Sequence, residues 1–136
     1  NITSVKDAAN DVGGSARLVA EAPSDFELYS GNDDQTLALL AIGAVGTVGV
    51  ATHWIARQTG EMMAAFWKGD VDEARRINAR LLDSYRYETG DDAPNPIPAK
   101  TMLGVLGQPV GHCRLPMGPP PDGLEDRARQ VLADLG

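Results

Sequence analysis

Lys6 is the residue in this sequence with the clearest chemistry open to it. It follows the short apolar run Ile2-Thr3-Ser4-Val5, read as a strand over Ile2–Val5. That puts it at a carboxyl end, where parallel sheets place their reactive groups. Buried there, a lysine loses hydration, its amine becomes neutral, and it can attack a carbonyl to form a Schiff base. A plainer reading leaves it in water, paired with Asp7. Residue type and position keep both open. His53 and the His112-Cys113 pair are metal ligands by type alone, since no third or fourth ligand falls at a recognisable spacing. Ser30-Gly31-Asn32-Asp33 is a turn, or a nest of amides for an anion. Gly43, Gly46 and Gly49 precede and enter an apolar run instead of linking strand to helix, so they form no dinucleotide fingerprint. Met62, Met63, Phe66 and Trp67 read as core and interface.

The elements that position these residues alternate. A helix is predicted over Asp11–Ala22, with Val12, Ala16 and Val19 on one face and Pro23 as its stop. Phe26-Glu27-Leu28-Tyr29 reads as the next strand, and Asp33 or Asp34 as the cap of the helix carrying Leu37, Leu40 and Ala41. Val45–Val50 is a β-branched, buried strand, followed by a helix from Ile55 to Lys68 that Gly69 closes. Strands separated by helices of this length imply βαβ units with parallel strands. Beyond residue 69 only helices follow. Asp70 with Glu73 forms a capping box, and Ala74, Ile77, Leu81 and Tyr85 share one helix face. Arg75, Arg76 and Arg80 face solvent within reach of Asp72, Glu73 and Asp83. The prolines of Pro94–Pro98 and Pro116–Pro121 are stiff braces. A last helix begins near Asp122, with Leu124, Ala128, Val131 and Leu135 inward. The organisation is three β-α units over 1–69 and a helical extension over 70–136.

Composition narrows the class. The 136 residues are 43% hydrophobic and 23% charged, ordinary for one globular domain. Nineteen acidic and twelve basic residues give a net charge of −7, and no basic block stands out, so nucleic-acid binding is disfavoured. A single cysteine, Cys113, permits no internal disulfide and suits a reducing compartment. No residue from Gln35 to Ala56 is formally charged, long enough for a membrane span. The glycines and polar residues inside that run favour a short helix leading into a core strand. Three parallel strands neither cover both faces nor close a barrel. The chain is then either an unusually small α/β domain or the back half of a larger one, and the absence of an initiator methionine before Asn1 favours the second.

Several stretches, in order, resemble the carboxyl-terminal half of the dihydrodipicolinate synthases, within the pyruvate-dependent class I aldolase family. Ser4-Val5-Lys6-Asp7-Ala8 resembles the strand carrying the Schiff-base lysine, and Leu28-Tyr29-Ser30-Gly31-Asn32-Asp33 the next strand and its turn. Gly46-Thr47-Val48-Gly49-Val50 resembles the final barrel strand. Glu73-Ala74-Arg75, Asn95-Pro96-Ile97-Pro98-Ala99-Lys100 and Arg114-Leu115-Pro116-Met117 resemble pieces of the helical tail. The resemblance implies the last three strands of a (β/α)8 TIM barrel followed by C-terminal helices. It makes Lys6 the Schiff-base residue for pyruvate, sets Val48 where main chain contacts the pyruvate carboxylate, and sets Gly31 at the rim.

The implied reaction condenses pyruvate with aspartate semialdehyde through a lysine imine, in lysine and diaminopimelate biosynthesis. It needs no metal or organic cofactor. A cytoplasmic homo-oligomer is implied for the complete protein. The family's tyrosine relay and Thr-Thr pair belong to its amino-terminal half, and Tyr29 and Tyr85 do not match that tyrosine's motif. Asn32 stands where Asp is usual and Gly49 where Ser is common, Thr89 to Ala93 resembles an insertion, and Glu88 matches the family's preceding Glu. A related aldolase or sugar-acid lyase, or a non-catalytic barrel remnant that acts by binding, are the alternatives.

Overall fold

The computed structural model describes residues 1–90 and 92–136, and its sheet has three parallel strands in the order β1-β2-β3. β1 is Ser4–Asp7, β2 is Glu27–Ser30 and β3 is Gly46–Thr47. Val5 lies beside Leu28 and Lys6 beside Tyr29, and Tyr29 in turn lies beside Gly46. Each strand is followed by a helix: α1 (Val12–Glu21), α2 (Thr36–Ala41) and α3 (Thr52–Trp67). Then come α4 (Val71–Tyr87), α5 (Ile97–Val105) and α6 (Leu124–Leu135). Three β-α units followed by helices is the expected α/β order.

The strand limits differ from expectation. β1 starts two residues later than expected and runs through Lys6, because Glu27 of β2 meets Ser4, and Ile2 is left 80% exposed. β3 shrinks to two residues, although the Val45 and Val48 amides still donate to the Leu28 and Ser30 carbonyls at 2.8 Å. The Gln35–Ala56 run becomes α2, β3 and the first turn of α3. Among the described residues no helix is long and apolar enough to cross a membrane.

Helix ends follow local chemistry. Asp11 caps α1 by accepting from the Gly14 amide at 2.9 Å, and Asp70 caps α4 by accepting from Glu73 at 3.1 Å. Gly69 ends α3 at φ +83°, a conformation that glycine adopts without a side-chain clash. α5 was not anticipated from its proline-rich sequence. Pro98 stands in its first turn, where a missing N–H removes no helical hydrogen bond. α6 begins after Gly123 at φ +79°, not at an Asp122 cap. Of the expected insertion at Thr89–Ala93, Asp91 lies outside the described residues.

Three apolar clusters hold these layers. Leu28, Leu39, Leu40 and Ala44 fill the space between sheet and first helices, with Val5, Val12 and Val19 against them. Ile55, Met62 and Ala65 of α3 pack on Ala74, Ile77, Leu81 and Tyr85 of α4, so this core crosses residues 69–70. The Trp54 indole donates to the Ser84 hydroxyl at 3.1 Å and meets the Tyr87 ring edge-on at 6.0 Å. Met102, Leu124 and Ala128 join α5 to α6. On the outer face of α4, Arg75 and Arg76 pair with Asp72 and Glu73 as expected, while Asp83 pairs with Arg86. These exposed pairs are each worth under about 1 kcal/mol.

Candidate active site

Strand alternation decides which side chains can meet. Successive strand residues point to opposite faces, and neighbours in parallel register point to the same one. Lys6 shares a face with Tyr29 and Gly46, and Val48 lies just past the end of β3 with its amide on the Ser30 carbonyl. Val5 and Leu28 lie on the other face, packed under the helices. Lys6 is exposed and Val48 is 50% exposed. Of the two readings left open for Lys6, the structure shows the one in water. The face that carries Lys6 has no layer over it among the described residues.

Asp7 does not pair with Lys6. Its side chain turns to the helix-covered face, where the Ser15 hydroxyl and the Ala9 amide (2.9 Å) donate to it. Those bonds, the Ser15 one foremost, hold its carboxyl below the usual carboxylate range. Among the described residues no carboxylate forms an ion pair with Lys6. The pairing with Asp7 in the plainer reading is thereby removed, while its exposure stands.

Gly31 is brought directly against Lys6. Its amide donates to the Asp7 carbonyl at 2.7 Å, closing the β2 turn onto the end of β1. A Cβ there would stand 2.9 Å from that oxygen and from the Ala8 methyl, and 3.0 Å from Lys6 Cε. Only glycine fits this approach without displacement. Tyr29, also on the Lys6 face, donates its hydroxyl to Glu27 at 2.8 Å, and this bond pushes the phenol up.

Main chain from 48 to 51 forms the other wall. The Val48 amide is spent on the Ser30 carbonyl at 2.8 Å, so it is not left to a ligand. The Gly49 amide has no protein acceptor among the described residues. The next two amides go to carboxylates: Val50 to Asp33 Oδ2 at 2.6 Å and Ala51 to Glu88 Oε2 at 3.2 Å. Asp33 or Asp34 is the expected cap of α2, and neither side chain caps it. Instead a 3-10 turn, Asp33–Gln35, turns the Asp33 side chain inward, where it is 3% exposed. A Cβ on Gly49 would fall on the Asp33 carboxylate, so glycine there permits the carboxylate's approach.

Glu88 lies against Asp33. Burial first, then the Asp33 charge and hydrogen bond, push its carboxyl up to about 8. A carboxyl that holds its proton longer folded than unfolded stabilises the fold least at high pH. Between pH 4.5, where the unfolded carboxyl ionises, and about 8, the native state binds more protons, so stability falls as pH rises. Discounted for partial exposure, the loss should be about 1–2 kcal/mol. Urea titrations at several pH values should show it in the wild type and not in Glu88→Gln.

The residues singled out as metal ligands by type stay apart. His53 uses Nδ1 on the Val50 carbonyl at 2.8 Å, while His112 and Cys113 line a cavity beside Lys100 on α5. Among the described residues no group of three or more His, Cys, Asp or Glu could hold a metal ion. Sequence reasoning did not anticipate the Asp33–Glu88 pair. Its one signal was two acidic residues at element ends, each open to a simpler reading as a cap.

Comparison with known proteins adds the lineage. Residues 1–134 match the dihydrodipicolinate synthetase family. A 4-hydroxy-tetrahydrodipicolinate synthase of Halalkalibacterium halodurans is 41% identical over 88% of this chain and 40% of its own length. The synthase of Thermosynechococcus vestitus is 37% identical over 100% of this chain and 45% of its own. The crystal structure of the enzyme from Cyanidioschyzon merolae, with lysine bound, superposes with a TM-score of 0.92 at 38% identity, covering 99% of this chain and 45% of that one. The chain thus spans under half the length of these relatives.

Proposed function

The chain belongs to the dihydrodipicolinate synthetase family, and from that premise we propose that it carries the imine-forming part of a pyruvate-condensing lyase. In this reading it is the carboxyl-terminal portion of a (β/α)8 barrel, contributing the last three strands and the helices behind them. The whole protein is a cytoplasmic homo-oligomer that makes 4-hydroxy-tetrahydrodipicolinate from pyruvate and aspartate semialdehyde. Neither metal nor organic cofactor takes part, since the protonated imine is itself the electron sink.

The observation that supports the proposal is the approach of Gly31 to the Lys6 stem where β2 closes onto β1, with the Val48 amide held on the Ser30 carbonyl at the neighbouring strand end. Lys6 Nζ gives up one proton and attacks C2 of pyruvate; that proton is returned to the carbinolamine hydroxyl, which leaves as water and leaves a protonated imine. Loss of a C3 proton gives the enamine, whose C3 bonds to the aldehyde carbon. Attack by the product's own amine on C2 closes the ring and releases Lys6. The Val48–Gly49 peptide is assigned to the carboxylate end of pyruvate, with the open Gly49 amide as its donor and the Val48 carbonyl turned from the anion. Gly31 keeps the rim thin enough for the Lys6 stem.

Alone, the chain is expected to be weakly active, because groups that act as a unit lose most of their rate when one is missing. The test is condensation of pyruvate with aspartate semialdehyde, with and without a chain supplying the rest of the barrel. Product that depends on Lys6 supports the assignment. Turnover of another aldehyde alone would move the chain to the related aldolases, and a folded chain with no carbonyl chemistry would make it a binding remnant. Gly31→Ala should slow imine trapping at Lys6 by roughly tenfold or more through displacement of the lysine stem. A trapping time course checks it.

A further inference from the structure

We propose that Asp33 and Glu88 are positioning residues that share a single proton and, in that state, fix the main chain from Val48 to Ala51. That this segment belongs to a pyruvate site rests on the function proposed above; the proton-sharing itself does not.

The two carboxyls come from separate parts of the chain, Asp33 from the turn after β2 and Glu88 from the end of α4. They take successive amides of one loop, Val50 at 2.6 Å and Ala51 at 3.2 Å. Asp33 takes the shorter of the two bonds. The shared proton sits on Glu88, whose Oε2 accepts from Ala51 and whose carboxyl is pushed up by burial and by the neighbouring Asp33. Two ionised carboxylates in contact would repel without compensation.

Among the described residues no cation relieves them. The groups facing the pair are acidic or phenolic: Asp34 from the same 3-10 turn and Tyr85 from α4, whose buried phenol donates to Asn78 at 3.4 Å. His53, on the first turn of α3, spends Nδ1 on the Val50 carbonyl. Neither carboxyl forms an ion pair among the described residues. The single negative charge that remains faces the amino end of α3, where the helix dipole favours it. Gly49 completes the device, because its missing Cβ is what lets Asp33 reach across the loop. Loss of the shared proton would set two like charges on adjacent amides and loosen the segment carrying Val48. Glutamine at 88 reproduces the protonated state, with an amide N–H for Asp33 and an oxygen for Ala51.

Amide hydrogen exchange on the full chain, corrected for intrinsic rates, reads this directly. In the wild type, protection at Val50 and Ala51 should drop by roughly tenfold to a hundredfold as pH rises from about 6 to 9. Glu88→Gln should keep high protection throughout. Asp33→Asn should remove the step, because an ionised Glu88 then has no like charge beside it and can accept from the asparagine amide. Glu88→Ala should give low protection at every pH. Amides in the middle of α4 serve as the reference and should not move. A flat wild-type profile, the same step in Glu88→Gln, or a parallel loss in α4 would overturn the proposal.

Pyruvate trapping at Lys6 over the same range then tests the link to the site. Half-saturating pyruvate should rise with pH in the wild type and stay level in Glu88→Gln. An exchange step without any Lys6 adduct supports the proton-sharing pair and contradicts the pyruvate assignment. An adduct whose pyruvate dependence ignores the step overturns the positioning role.

Discussion

Lys6→Ala is expected to abolish pyruvate-dependent borohydride labelling and to lower condensation by about a thousandfold or more, because covalent catalysis has no route without the amine. The fold should survive the change. Lys6 is exposed, forms no ion pair among the described residues, and lies on the face away from the packed helices. Thermal unfolding of Lys6→Ala should therefore match the wild type while labelling is lost. A residual adduct on another lysine would reassign the nucleophile. The contrast between lost chemistry and retained stability separates a reactive lysine from a structural one.

The second large effect is on stability. Leu81 is fully buried where α4 meets α3, among Ile55, Met62 and Ile77. Leu81→Ala removes three heavy atoms from that contact and should cost about 2–5 kcal/mol, the transfer and cavity terms together. Against a total of about 5–15 kcal/mol, that is enough to leave much of the chain unfolded in mild urea. The loss should reach the site, because α3 and the Glu88 end of α4 both hold the loop from 48 to 51. Urea denaturation followed by circular dichroism gives the first effect. Exchange at Val50 and Ala51 gives the second.

The helical faces were the most legible feature of the sequence. The spacing of Ala74, Ile77, Leu81 and Tyr85 has the helix period, and all four are buried. Asp70 announced its helix because capping needs only a nearby amide. Strand limits were less readable, since the partner strand decides where a ladder starts. Lys6 was thus displaced from the end of β1 into it, and Val45–Val50 kept only Gly46–Thr47 in the ladder. α5 was hidden by prolines that suit a first turn. Lys6 and Gly31 were visible through resemblance, and their contact follows from the sheet register. The Asp33–Glu88 pair was not visible. Its members meet only through the packing of α4 against the β3–α3 loop, which no local pattern encodes.

Reduction of the chain with borohydride in the presence of pyruvate, followed by intact mass and peptide mapping, addresses the proposed chemistry most directly. The prediction is one added pyruvate, less water and plus two hydrogens, on the peptide containing Lys6, and none in Lys6→Ala. A folded wild-type chain that gives no adduct, or one carried elsewhere, would contradict the assignment of Lys6 as the imine-forming residue.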